Sequence, residues 1–216
     1  TKYKVLTGVA RLTKDGQSVS GDTFSMINLP SGELLMALSD GMGSGTSAFD
    51  DSKNVIELLE QMSEAGFSQT SAIRLINSLY MSDQEFENYA TLDISLINLY
   101  KGECSFLKNG AVGTYVLNQG KMYCIEGQSL PMGVVSDAEP YIGKMSLYPG
   151  DYVIMMTDGV ADMFSQERYN LEKFIKQIEI VNPGDMAQAI VDEAVSRNKG
   201  AVSDDMSVIV AGVWEN

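Results

Sequence analysis

Two hydrophobic rhythms alternate along the chain, and each change of rhythm marks an element. Period-two stretches predict strands over Tyr3 to Leu12, Thr23 to Leu29 and Leu34 to Leu38, with Pro30-Ser31-Gly32 turning the second into the third. Helical spacing follows: Phe49, Val55, Leu58, Leu59 and Met62 share one face, and Gly66 ends that helix. A second helix opens at Ser68 or Thr70 and aligns Ile73, Ile76 and Leu79. From Thr91 the pattern returns to short β segments. Leu92 to Tyr100 and Cys104 to Lys108 form a hairpin over Lys101-Gly102, and Tyr115 to Leu117 and Met122 to Ile125 form another over Asn118-Gln119-Gly120. Strands near Ile142 to Leu147 and Asp151 to Met156 are joined by Tyr148-Pro149-Gly150. Helical segments around Leu171 to Ile180 and Met186 to Arg197 precede a last strand, Met206 to Val213. Paired helices between blocks of hairpins predict antiparallel sheets with helices outside, not a doubly wound βαβ fold.

Three aspartates stand at the ends of these strands. Asp40 follows Leu34 to Leu38, Asp158 follows Tyr152 to Met156, and Asp204 precedes Met206 to Val213. Glycine comes directly after the first two, as Asp40-Gly41 and Asp158-Gly159. A carboxylate at a strand end, beside a backbone carbonyl that can turn inward, suits hard divalent cations, which take oxygen ligands and keep several waters. Asp22, in Ser20-Gly21-Asp22, offers a fourth carboxylate. Asp204-Asp205 equally reads as a solvated turn. Asp93 alternates with Leu92, Ile94 and Leu96 and so faces away from them, which predicts an exposed or hydrogen-bonded position. Asp162 reads as the start of a helix or turn. Gly41-Met42-Gly43-Ser44-Gly45 precedes a helix but lacks both the P-loop Gly-Lys-Ser/Thr and the dinucleotide spacing, since Thr46 occupies the third glycine position.

Composition narrows the chemistry. The 216 residues contain no histidine, which removes imidazole-dependent acid–base, zinc and nucleophile mechanisms and leaves metal-activated water as the simplest hydrolytic chemistry. A formal charge of −14 argues against nucleic acid and anionic membrane as partners. Bound divalent ions would reverse the local field for an anionic substrate. Cys104 and Cys124 read as lone small hydrophobic residues, compatible with a reducing compartment. No apolar run approaches the roughly 18 residues that span a bilayer. The expectation is a single domain over residues 1–216, a piece of a longer protein.

Six motifs in order carry a resemblance: Ser20-Gly21-Asp22, Ser39-Asp40-Gly41-Met42-Gly43, Leu130-Pro131-Met132-Gly133, Pro149-Gly150-Asp151, Thr157-Asp158-Gly159 and Ser203-Asp204-Asp205-Met206-Ser207. Together they resemble the metal-dependent type 2C (PPM) serine/threonine phosphatases, in particular their sigma-regulating sporulation branch. The resemblance implies an α+β fold of two central antiparallel β-sheets sandwiched between helix pairs. It also implies a site for two manganese or magnesium ions, the second weakly held. Asp40 would bridge the ions, Gly41 would lend its carbonyl, Asp158 and Asp204 would complete the first ion, and Asp22 would act through water. The implied catalytic residues are Asp40, Asp158 and Asp204.

The implied substrate is a phosphorylated anti-sigma-factor antagonist, with sigma-factor activation as the output. The domain would be cytoplasmic, its parent membrane-anchored, and self-association stays open. A catalytically weak or inactive recognition domain of the same fold, or a phosphatase for another phosphoprotein, is the alternative. Departures from the family pattern are Met42 where a proton-donating histidine stands in the better-known branch, Gly21 where an acidic residue stands, and Gln17-Ser18 in the region of a phosphate-clamping arginine. Arg11 looks too distant in sequence to replace that arginine. The resemblance also implies that the helix pair spanning Ser44 to Met81 switches the site between metal-poor and active states.

Overall fold

Strand Glu33–Asp40 is buried on both faces, so the sheet that contains it lies inside the molecule. The computed structural model describes residues 1–82, 89–136, 139–164 and 168–216, with no side-chain description at 168–170. In chain order the first elements are β1 (Tyr3–Leu12), β2 (Asp22–Asn28), β3 (Glu33–Asp40), α1 (Thr46–Glu64) and α2 (Gln69–Ser82). Next come β4 (Leu92–Asn98), β5 (Glu103–Asn109), β6 (Thr114–Asn118), β7 (Lys121–Ile125) and β8 (Tyr141–Ser146). The chain finishes with β9 (Tyr152–Met156), α3 (Asp158–Phe164), α4 (Arg168–Gln177), α5 (Pro183–Arg197) and β10 (Met206–Glu215).

The strands form two five-stranded antiparallel sheets, β1-β10-β9-β6-β7 and β2-β3-β4-β5-β8. Alternation along each strand then sorts side chains into three cores. Leu34, Met36 and Leu38 of β3 meet Val153, Met155, Ile209 and Ala211 between the sheets. Leu35 and Ala37 point the other way, against Val55, Leu59, Ile73 and Ile76 of α1 and α2. Tyr152, Ile154 and Met156 pack with Met186, Ile190 and Val191 of α5. Each such fully buried aliphatic side chain contributes about 1.5–3 kcal/mol. The result is the expected sandwich, two sheets between helix layers.

Three expectations change in detail. The Tyr148-Pro149-Gly150 turn joins strands of different sheets, β8 to β9, so it carries the chain across the sandwich rather than closing a hairpin. Asp158 opens a seven-residue helix, α3, that short-range periodicity cannot announce. Asp93 faces away from Leu92 and Ile94 as expected, but that direction is the space between the sheets, not solvent. It is 2% exposed and pairs with fully buried Lys108, its register partner on β5. Removing one member of such a buried pair costs about 3–5 kcal/mol. Cys104 is buried and Cys124 half-buried, and the two are not bridged to each other.

Candidate metal centre

The first half of the site is the end of a β-ladder. Asp22 begins β2, Asp40 ends β3, and the two are register partners. The Asp40 backbone is fixed on both sides by Thr91, whose hydroxyl accepts the Asp40 N–H (3.0 Å) and whose N–H donates to the Asp40 carbonyl (2.9 Å). Gly41 continues the bend by donating its N–H to the Gly21 carbonyl (3.2 Å). Its missing side chain matters for packing: a Cβ there would stand 1.9 Å from the Ala48 carbonyl oxygen of α1. Gly21 is less confined, since a Cβ would lie 3.0 Å from Ala48 Cβ and 3.5 Å from the Gly41 carbonyl oxygen. A side chain at Gly21 therefore requires Ala48 of α1 to give by a few tenths of an ångström.

The second half comes from the other sheet. Thr157, after β9, and Ser207, on β10, both donate their hydroxyls to Asp22 Oδ2, at 3.0 and 2.7 Å. These bonds tie the two sheets together at the site and leave Asp22 Oδ1 buried with no hydrogen-bond partner. Asp158 starts α3. Gly159 after it allows the Asp205 carbonyl to approach, because a Cβ would stand 2.2 Å from that oxygen and 3.3 Å from Asp204 Cβ. That approach brings Asp204 beside Asp158. Asp205 itself turns inward, its carboxylate accepting the Lys14 N–H (2.9 Å) and the Gly21 N–H (2.7 Å). Lys14 Nζ lies 3.9 Å from Asp204 Oδ1.

Crowded carboxylates raise one another's pKa. Asp40 is pushed up to about 9, first by burial, then by repulsion from Asp22, Asp158 and Asp204. Burial and the neighbouring charges favour its protonated form, and its side chain lies within hydrogen-bond reach of Asp158. Asp22 is raised to about 6 by burial, opposed by the Ser207 and Thr157 hydroxyls and by Arg11. Asp158 is raised by burial and by repulsion from Asp204.

A small cavity of about 40 Å³ lies beside the pair, lined by Asp40, Thr91, Asp93, Gly110, Thr157 and Asp158. Among the described residues no three carboxylates are already drawn into a cage. The four aspartates nonetheless concentrate negative charge at one point between the sheets, which favours a bound cation. An all-oxygen donor set, a buried unpartnered Asp22 Oδ1 and no thiol or imidazole fit magnesium or manganese.

Asp22, Asp40, Asp158 and Asp204 lie near enough for their charges to interact, with Gly41 adjoining them. Sequence reasoning did not reach Thr157, Ser207 or Asp205, although a hydroxyl residue next to two of the motif aspartates was a usable signal. Arg11, distant in sequence, is close in space: its Nη2 donates to the Asp22 carbonyl (2.6 Å) while the guanidinium lies over Phe24.

Residues 30–214 match the family of stage II sporulation protein E. The stage II sporulation protein E of Priestia megaterium is 35% identical over 217 residues, covering 99% of this chain. The chain belongs to the stage II sporulation protein E family. It spans 37% of the Priestia megaterium relative's length. The solved PP2C phosphatase domain, with a regulatory-domain fragment, of the Bacillus subtilis stage II sporulation protein E is 32% identical, with a TM-score of 0.90. That match covers 100% of this chain and 64% of the other. Within the stage II sporulation protein E family, this chain therefore corresponds to the phosphatase domain. The fold extends to the catalytic domain of the serine/threonine phosphatase PstP, solved with two manganese ions, at 18% identity and a TM-score of 0.79 over 99% of this chain and 100% of that one.

Proposed function

We propose that the chain is a manganese-dependent protein serine/threonine phosphatase domain acting on a phosphorylated anti-sigma-factor antagonist. The observation that carries this reading is the convergence of Asp22, Asp40, Asp158 and Asp204 from both sheets, with Asp22 Oδ1 buried and unpartnered, a charge excess that divalent cations relieve. Asp40 would bridge two ions, Gly41 would supply its carbonyl, Asp158 and Asp204 would hold the first ion, and Asp22 would act through water. Bound cations supply a nucleophilic water at neutral pH and charge stabilisation for the phosphoryl group. The chain's own residues arrange the rest. Thr157 and Ser207 keep Asp22 Oδ2 occupied, so Oδ1 is the oxygen left to face the ions or their waters. Arg11 and Lys14 border the aspartates and offset their repulsion toward an incoming phosphate. Met42 is exposed and carries no proton, so the leaving serine oxygen is protonated from water.

The sporulation setting of the relatives supports the choice of substrate. The domain would work in the cytoplasm, and no described helix is long and apolar enough to cross a membrane. The deciding experiment follows phosphate release from the phosphorylated antagonist across a manganese titration, with Asp40→Asn and Asp158→Asn in parallel. Manganese-dependent release that both substitutions abolish is the expected result. Release from a small aryl phosphate alone would discard the substrate and keep the chemistry. Release from neither would leave a recognition domain.

A further inference from the structure

Lys108 is fully enclosed, and its ammonium donates to Asp93 Oδ2, to the Val112 carbonyl and to Thr114 Oγ1, each at 2.7 Å. Thr114 in turn donates to the same Asp93 Oδ2 at 2.6 Å. The three side chains come from β4, β5 and β6, so the clamp joins one sheet to the other. Both bonds that Asp93 accepts in it fall on one carboxylate oxygen. The second, Asp93 Oδ1, is buried and has no hydrogen-bond partner.

A clamp that only fastened the sheets would not need a second oxygen, and burying one without a donor is unfavourable. Asp93 lines the same cavity as Asp40, Thr91 and Asp158. At about 40 Å³ that space admits at least one water, which requires only about 10–15 Å³. Hydrated magnesium and manganese keep waters that need acceptors beyond the ligands themselves.

We propose that Asp93, locked by Lys108 and Thr114, is a positioning residue of the metal centre, its Oδ1 accepting a hydrogen bond from water in the hydration shell of a cation held at Asp40 and Asp158. This rests on the cation site proposed above. The buried lysine fixes which oxygen is spent and which stays available, so the shell is oriented from a rigid inter-sheet strut rather than from a loop.

The test measures manganese binding by titration calorimetry on the 216-residue chain, alongside its melting temperature in chelator. In Asp93→Asn the amide oxygen keeps the Lys108 and Thr114 bonds while an NH2 replaces the free acceptor. Manganese affinity is expected to fall roughly 10–100-fold. Because that variant leaves Lys108 without a counter-charge, the double variant Asp93→Asn/Lys108→Met removes both buried charges and is expected to show the same loss. Wild-type affinity in either folded variant, whatever its melting temperature, overturns the inference. A wild-type chain that binds no manganese instead overturns the cation site itself, and this inference with it.

Discussion

Asp22 and Asp40 oppose each other across the β2–β3 ladder, one strand's first residue against the other's last. Directly opposed strand residues have Cα atoms about 4.5–5.5 Å apart, where like charges destabilise. The fold therefore builds repulsion into its own backbone register and depends on something positive to relieve it.

That dependence has a pH signature. Folding raises Asp22 from 3.8 to about 6 and Asp40 from 3.8 to about 9, so between roughly pH 4 and pH 9 the folded state holds more protons than the unfolded one. The stability of the metal-free domain then falls as pH rises through that window. Melting in chelator should be higher at pH 5 than at pH 8, and manganese at pH 8 should restore the difference. Equal melting temperatures at both pH values in chelator would contradict it.

Neutralising one aspartate should separate stability from function. Asp40→Asn removes the carboxylate that meets repulsion from three others. The expected variant melts higher than wild type in chelator at pH 8, shows no manganese-induced shift, and loses at least about 100-fold in phosphate release. Differential scanning calorimetry with and without manganese reads both effects.

The two Asp-Gly glycines should resist even alanine. At Gly41 a methyl meets the Ala48 carbonyl oxygen, and at Gly159 it meets the Asp205 carbonyl oxygen, both backbone atoms that cannot swing away. Gly41→Ala is expected to push α1 off the site and Gly159→Ala to push Asp204 away from Asp158. Each should cost about 1–3 kcal/mol in urea unfolding and weaken manganese binding. Unchanged binding in Gly41→Ala would uncouple α1 from the site, and with it the proposed role of the helix pair as a switch.

Asp205 is a structural carboxylate next to Asp204, a proposed metal ligand. Asp205→Ala strips acceptors from the N–H groups of Lys14 and Gly21. An unpaired buried N–H costs about 1–3 kcal/mol, so denaturant titration should register a loss of that order. Asp204→Ala should cost less stability and far more manganese affinity.

Much of this was legible in the chain, for identifiable reasons. Strands such as β3 and β9 announce themselves because both of their faces are apolar, and turns carry their glycines. The motif aspartates could be read because glycine follows two of them. What stayed hidden depends on contacts remote in sequence. Ser207 reaches Asp22 across 185 residues and Thr157 reaches it across 135, so their place beside motif aspartates gives no sign of the partner. Asp93 is hydrogen-bonded, one of the two outcomes the alternation allowed, because alternation tells which face a residue takes but not whether that face meets water or a second sheet. α3 escaped because its seven residues make barely two turns.

The β1–β10 ladder pairs Leu12 with Met206 at the aspartate end and Tyr3 with Glu215 at the other, ten residues or about 30 Å away. Thr1 and Asn216 are neighbours there, joined by the Asn216 side chain donating to the Thr1 carbonyl. A short peptide closing that gap would give a circular permutant, reopened at the Asn118-Gln119-Gly120 turn, whose catalytic end keeps its geometry. A reporter fused at either Thr1 or Asn216 would sit at the far end of the β1–β10 ladder from the proposed metal centre.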